Sequence, residues 1–130
     1  MCLMQAIVLH NSNRFGFDDE EYVLPTNFIA YYYRKWWYSK PFHITKAMRK
    51  SLLALANSRN PRAFDAKLTA FACNKEYVST GALLRSTPLI LWSTPLDYPD
   101  EVHDAIKADA EFSHSNPLLH TINMLYGLAI

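Results

Sequence analysis

An all-α fold is what this sequence predicts, and three observations carry the prediction. Apolar residues recur at helical rather than alternating spacing along most of the chain. Only three glycines occur in 130 residues, with no Asn-Gly turn and no strand-turn-strand pattern between them. Small polar residues and prolines fall where one apolar stripe stops and the next begins, as helix caps do. At this length a single core is expected, so residues 1–130 are read as one compact multi-helix domain. Half of the residues are apolar, including three Trp, eight Tyr and seven Phe, enough to fill such a core.

The first segment, Cys2 to His10, is apolar on nearly every side and is read as a helix with no N-cap. A loop from Asn11 to Leu24 follows and contains the acidic run Asp18-Asp19-Glu20-Glu21. Pro25 and Thr26 open a second helix that reaches about Tyr38. Thr45 caps a third, with Met48, Leu52, Leu55 and Ala56 on one face. Asn60-Pro61 pairs a cap with a proline at the first helical position, starting a helix through Phe64, Leu68 and Phe71 to Cys73.

Ser79-Thr80-Gly81 opens a short helix, which Thr87-Pro88 is expected to cap and restart through Ile90 to Trp92. Pro99-Asp100-Glu101 places acids in the first turn of a helix running to Phe112. Asn116-Pro117 starts the last one, which continues to Ile130. Seven or eight helices joined by short loops result. Both ends of the chain fall inside apolar helices, where domain termini ordinarily trail off in polar residues. The expectation is a segment of a larger helical domain, truncated at both ends.

Charge and cysteine content narrow the function. A net charge of +1 gives no field that would draw nucleic acid or an anionic membrane. No apolar run approaches the ~20 residues that span a bilayer. Cys2 and Cys73 form neither a disulfide framework nor a CxxC zinc pair, and no cationic leader opens the chain, so a cytoplasmic location is expected. Asp18 to Glu21 lacks the glycine and alternating oxygens of a calcium loop and reads as a solvated loop. The run Tyr31 to Lys40 could stack single-stranded bases, yet Ile29, Tyr32, Tyr33 and Trp36 share one helical stripe and read as core. The five histidines show no close metal-ligand spacing, and no nucleophile-elbow motif appears. No catalytic residue and no metal ligand is assigned.

Ser79-Thr80-Gly81-Ala82-Leu83-Leu84-Arg85 is the most informative stretch. A small-residue turn at a helix start exposes backbone N–H groups that can receive a phosphate, and Arg85 one turn on can add charge or a bidentate contact. An ordinary cap with a structural arginine is the competing reading of the same residues. Downstream stand Ser113-His114-Ser115-Asn116-Pro117 and Tyr126 to Ile130; upstream stands Trp37 to Thr45 with Pro41-Phe42 inside it.

In this order and spacing the set resembles the ADP-ribosylglycohydrolase family, of the dinitrogenase-reductase-activating type. That family carries a segment like SNGALMR-x-x-P, then SH-x-x-P, then an apolar helix ending Y-x-x-A-I, preceded by W-x-x-x-P-F-D-I-G. The resemblance covers nearly the whole chain and implies an all-helical fold. It implies hydrolysis of the glycosidic bond between ADP-ribose and a modified side chain, assisted by two magnesium or manganese ions. Ser79, Thr80, Gly81, Arg85 and His114 then match positions that line or support the ADP-ribose cleft, with His114 equally readable as the residue that holds the turn.

Three departures qualify the implied activity. The family's acidic metal motifs, TDD before the first helix and D-x-D-T near the C-terminus, have no counterpart in this sequence. His43 stands where the D-I-G aspartate is expected and Thr45 where its glycine is; an imidazole cannot offer a carboxylate's charge to a hydrated ion. Thr80 replaces the asparagine of S-N-G and loses an amide donor. The expectation is therefore a chain that holds no cofactor of its own and is inactive as a hydrolase alone. Two readings stay open beside it: a non-catalytic ADP-ribose-binding or protein-interaction module, and one part of a split hydrolase. The expected partners are ADP-ribose or an ADP-ribosylated protein, with no nucleic acid and no membrane. A homodimer through the terminal helices is expected too, because Leu3, Met4, Ile7 and Val8 at one end and Leu125, Leu128 and Ile130 at the other need covering.

Overall fold

A computed structural model describes residues 24–60, 62–93 and 99–130. The expected helix Cys2–His10 and the acidic run Asp18–Glu21 lie outside the described residues. Six helices and no strand are found among them: α1 (Thr26–Tyr38), α2 (Lys46–Asn57), α3 (Ala63–Cys73), α4 (Leu83–Ser93), α5 (Pro99–Ala110) and α6 (Pro117–Ala129). The all-α expectation holds.

The helices pack as two groups of three. α1, α2 and α3 contact one another, and so do α4, α5 and α6. A continuous apolar cluster runs through both groups, from Ile29, Leu52 and Leu55 to Leu89, Ile90, Ile106 and Phe112. In α1, Ile29 and Tyr33 are buried while Tyr32 and Trp36 are partly buried against the cluster, so the expected stripe is core. Tyr33 meets Phe112 edge-on at 5.4 Å between ring centroids, an orientation the ring quadrupoles favour. Gly127 lets α6 approach its neighbours closely: a Cβ there would come within 2.7 Å of Ile106 Cδ1.

The helix starts follow local chemistry in two cases and tertiary contact in a third. Thr45 Oγ1 accepts from Met48 N at 3.3 Å, and Asn116 Oδ1 accepts from Leu118 N at 3.0 Å. Asn60 does not cap α3. The helix begins later, at Ala63, whose N–H donates to Asn27 Oδ1 of α1 at 3.0 Å. A side chain from another helix thus satisfies the donor that a local cap would serve.

The expected restart at Thr87-Pro88 does not occur. α4 runs unbroken from Leu83 to Ser93 with Pro88 inside it. Proline withholds one N–H but its fixed φ is compatible with a helix, and packing holds both flanks. On one side Ser86 Oγ donates to Leu83 O; on the other Leu89 and Ile90 are buried. Thr87 Oγ1 adds a hydrogen bond of 3.1 Å with Tyr126 OH of α6.

Candidate functional site

The segment between α3 and α4 enters on Asn74, which is fully buried. Its Nδ2 donates to Ala47 O at 2.8 Å and to Ser113 O at 2.9 Å, joining the head of α2 to the segment after α5. Ser79, Thr80 and Gly81 then form a turn that becomes helical with Leu84 N donating to Thr80 O at 2.9 Å. Thr80 is exposed, Ser79 half-buried and Gly81 buried.

His114 stands directly behind this turn. Ser79 Oγ lies 2.7 Å from its Nε2, and Ser113 Oγ lies 2.7 Å from its Nδ1. Burial lowers the His114 pKa to about 4, with the charges of Arg85 and His120 acting in the same direction. The ring is therefore neutral at pH 7, with one nitrogen carrying a proton and the other accepting. One serine hydroxyl receives from the ring and the other gives to it, so Ser79 is fixed in either tautomer. The backbone carbonyl of His114 accepts from His120 Nε2 at 2.8 Å, which ties the ring's own segment to α6.

Gly81 is held against the same imidazole. A Cβ at this position would lie 3.2 Å from His114 Cε1, 3.1 Å from Met48 Sδ and 3.5 Å from Thr45 Oγ1. The α1–α2 connection, through Thr45, is thereby brought beside the Ser79–Gly81 turn. His43, two residues earlier, is exposed.

Arg85 holds the turn from below. Its side chain is 2 % exposed. Nε donates to Asp109 Oδ2 at 3.0 Å, Nη2 to Asp109 O at 2.7 Å and Nη1 to Gly81 O at 3.3 Å. Asp109, 1 % exposed, also accepts from Tyr33 OH at 2.6 Å. The phosphate contact that the sequence suggests for Arg85 gives way to internal partners, since a buried guanidinium must be paired where it stands. Burial also raises the Tyr33 pKa well above its ordinary value, helped by the Asp109 carboxylate, so the phenol stays a donor. Ser79, Thr80, Gly81, Arg85 and His114 are thus one assembly, with Thr80 at its surface and Arg85 in its interior.

A profile of the ADP-ribosylglycohydrolase family matches residues 1–130. The chain belongs to that family. No curated protein and no solved structure matches it. The match is to the family at large and does not single out the dinitrogenase-reductase-activating type.

Members of the family employ metal ions, and the described carboxylates do not fit such a site. Asp109 is the only buried acid among the described residues, and Tyr33 and Arg85 occupy its two oxygens. Asp65 faces Arg62, Glu111 faces Lys67, and no group of three or more His, Cys, Asp or Glu side chains converges among the described residues. Also among the described residues, no helix is long and apolar enough to cross a membrane.

Sequence reasoning placed Tyr33 in the core without its bond to Asp109, and it missed Asn74 and Asp109. Asp109 carries a readable signal: it is an acid among Ala105, Ile106, Ala110 and Phe112 on the apolar side of α5. Asn74 follows α3 as an ordinary helix-ending residue would, and nothing local marks its long-range bonds.

Proposed function

We propose that this ADP-ribosylglycohydrolase-family chain binds ADP-ribose, free or attached to protein, at the Ser79–Gly81 turn, and that by itself it binds without hydrolysing. The observation that carries the reading is the doubly bonded His114, which fixes Ser79 while Gly81 packs on the same ring. A turn held this rigidly presents its N–H groups ahead of the first helical bond, where a pyrophosphate oxygen can be received with little ordering cost. Arg85 and Asp109 are positioning residues behind it. The acidic motifs that hold the family's ions have no counterpart in the sequence, and no three His, Cys, Asp or Glu side chains converge among the described residues, which supports binding without turnover.

Calorimetric titration of the purified chain with ADP-ribose tests the reading. Weak binding that is lost in Gly81→Val supports it, because a branched side chain there displaces the turn. Binding indifferent to Gly81→Val, or none at all, overturns it. Release of ADP-ribose from modified arginine or serine that rises with magnesium and stops with chelator overturns the inactive part alone.

A further inference from the structure

Phe64, Leu68 and Phe71 follow one another at i, i+4 and i+7 on α3 and are 64 %, 56 % and 64 % exposed. Isolated exposed apolar residues are ordinary; three in one row at helical spacing are a contact surface. All three line a groove of about 640 Å³, to which α5 contributes Lys107 and Glu111 and α6 contributes His120. Charge in the groove is one-sided. Glu111 is the one carboxylate of the lining, and Lys67 engages it at 3.2 Å, tying α3 to α5. Lys107 is exposed and pairs with no acid among the described residues. One net positive charge therefore stands beside a wall of two phenylalanines and a leucine.

These features choose among occupants. The two phenylalanines stand ~10 Å apart, two turns along the helix, so one planar ring system cannot meet both. A nucleic-acid strand brings a phosphate with every base, and a single unpaired amine does not neutralise such a run. The exposed apolar rows of a second copy leave Lys107 unanswered as well. The α6 row lies on a helix without an acid, and Asp65, the acid of α3, faces its own Arg62 at 3.6 Å. A helix from another protein meets each requirement. Apolar residues at the same i, i+4 and i+7 spacing lie along the row, and acids on the neighbouring flank reach Lys107.

We propose that the groove between α3 and α5 docks an acidic amphipathic helix of a partner protein, its apolar face on Phe64, Leu68 and Phe71 and its carboxylates toward Lys107. The proposal is independent of what binds at the Ser79–Gly81 turn.

The test uses the full chain and a labelled helical peptide with Phe, Leu and Phe at i, i+4 and i+7 and glutamates along one flank, binding being read by fluorescence anisotropy. A second peptide carries lysines in place of the glutamates. The acidic peptide is expected to bind at least ~10-fold more tightly than the lysine peptide. Phe64→Ala with Phe71→Ala is expected to weaken it by ~10-fold or more. Lys107→Glu is expected to reverse the preference, so that the lysine peptide binds the variant better, which loss of the fold could not produce. Leu53→Asp, at an exposed position on α2, is expected to change nothing. Equal affinity for the two peptides shows apolar adhesion alone and overturns the proposal. Absence of binding, or binding that survives Phe64→Ala with Phe71→Ala, overturns it too. Tighter binding of an oligothymidylate of similar length assigns the groove to nucleic acid and overturns it. Self-association of the native chain that Phe64→Asp abolishes assigns the groove to a second copy, with the same result.

Discussion

Arg85 Nε and Asp109 Oδ2 meet at 3.0 Å with both side chains out of water, and Tyr33 OH reaches the other carboxylate oxygen at 2.6 Å. The pair sits where the two three-helix groups join. Tyr33 comes from α1, Arg85 from α4 and Asp109 from α5. Removing one ion leaves the other buried without a partner, a loss of roughly 3–5 kcal/mol. Arg85→Ala is accordingly expected to lower stability by that order in urea unfolding. Arg85→Met combined with Asp109→Leu is expected to recover much of it, since an apolar pair of similar volume needs no desolvation. A double variant as unstable as the single one would show that packing, not charge pairing, is what the arginine contributes.

The His114 pKa sets a second expectation. It is lowered in the folded chain from 6.5 to about 4, so the neutral ring is the form that the fold accommodates. Unfolded, the ring takes up a proton as pH falls below its ordinary value; folded, it resists until about 4. The contribution is fully present above about pH 6.5 and is lost progressively as pH falls toward 4. Melting temperatures recorded across this window are expected to fall for the native chain and to fall less for His114→Gln, which cannot titrate. Parallel curves for the two proteins would remove His114 as the cause.

What could be read from the sequence is mostly what is local. Thr45 and Asn116 are legible as caps because the donor each serves is two or three residues away. The stripe on α1 is legible because helical periodicity is a property of adjacent turns. Asn60-Pro61 misleads because the donor at the head of α3 is served by Asn27, 36 residues earlier. Thr87-Pro88 misleads because burial of Leu89 and Ile90 outweighs one missing hydrogen bond. At the candidate site, Ser79, Gly81, Arg85 and His114 are visible as a motif, yet their order of depth is not. Nothing in Ser-Thr-Gly-Ala-Leu-Leu-Arg says that the arginine turns inward, because the Asp109 that draws it stands 24 residues away.

Gly81 gives a sharper test of how tightly the turn is built. A methyl group placed there would come within 3.1 Å of Met48 Sδ and 3.2 Å of His114 Cε1. Methionine can swing aside at small cost. His114 cannot, because a serine holds each ring nitrogen. Gly81→Ala is therefore expected to destabilise by about 1–3 kcal/mol, the usual range for overpacking. Pairing it with Met48→Ala is expected to relieve only part of the loss. Full relief, measured by thermal or urea unfolding, would mean that the imidazole yields and that the turn is less rigid than its hydrogen bonds suggest.

The last helix bears on assembly. Leu118, Ile122 and Leu125 are exposed on α6 at i, i+4 and i+7. They lie on a face different from the one that carries Pro117, His120 and Thr121 to the α3 groove. Each side chain left in water forgoes roughly 1.5–3 kcal/mol of burial, and one row on one helix is the simplest surface for two copies to cover reciprocally across a twofold axis. We therefore expect the chain to form a homodimer through α6 at micromolar concentration. Light scattering should give about twice the 15.0 kDa of one chain. Ile122→Asp should return it to the monomer with little change in the melting temperature measured at high dilution, because Ile122 is exposed and stands outside the buried core cluster. A native chain that scatters as a monomer and is unaffected by Ile122→Asp removes α6 as an interface. A dimer that persists in Ile122→Asp and dissociates with Phe64→Asp instead would transfer the contact to the exposed row on α3.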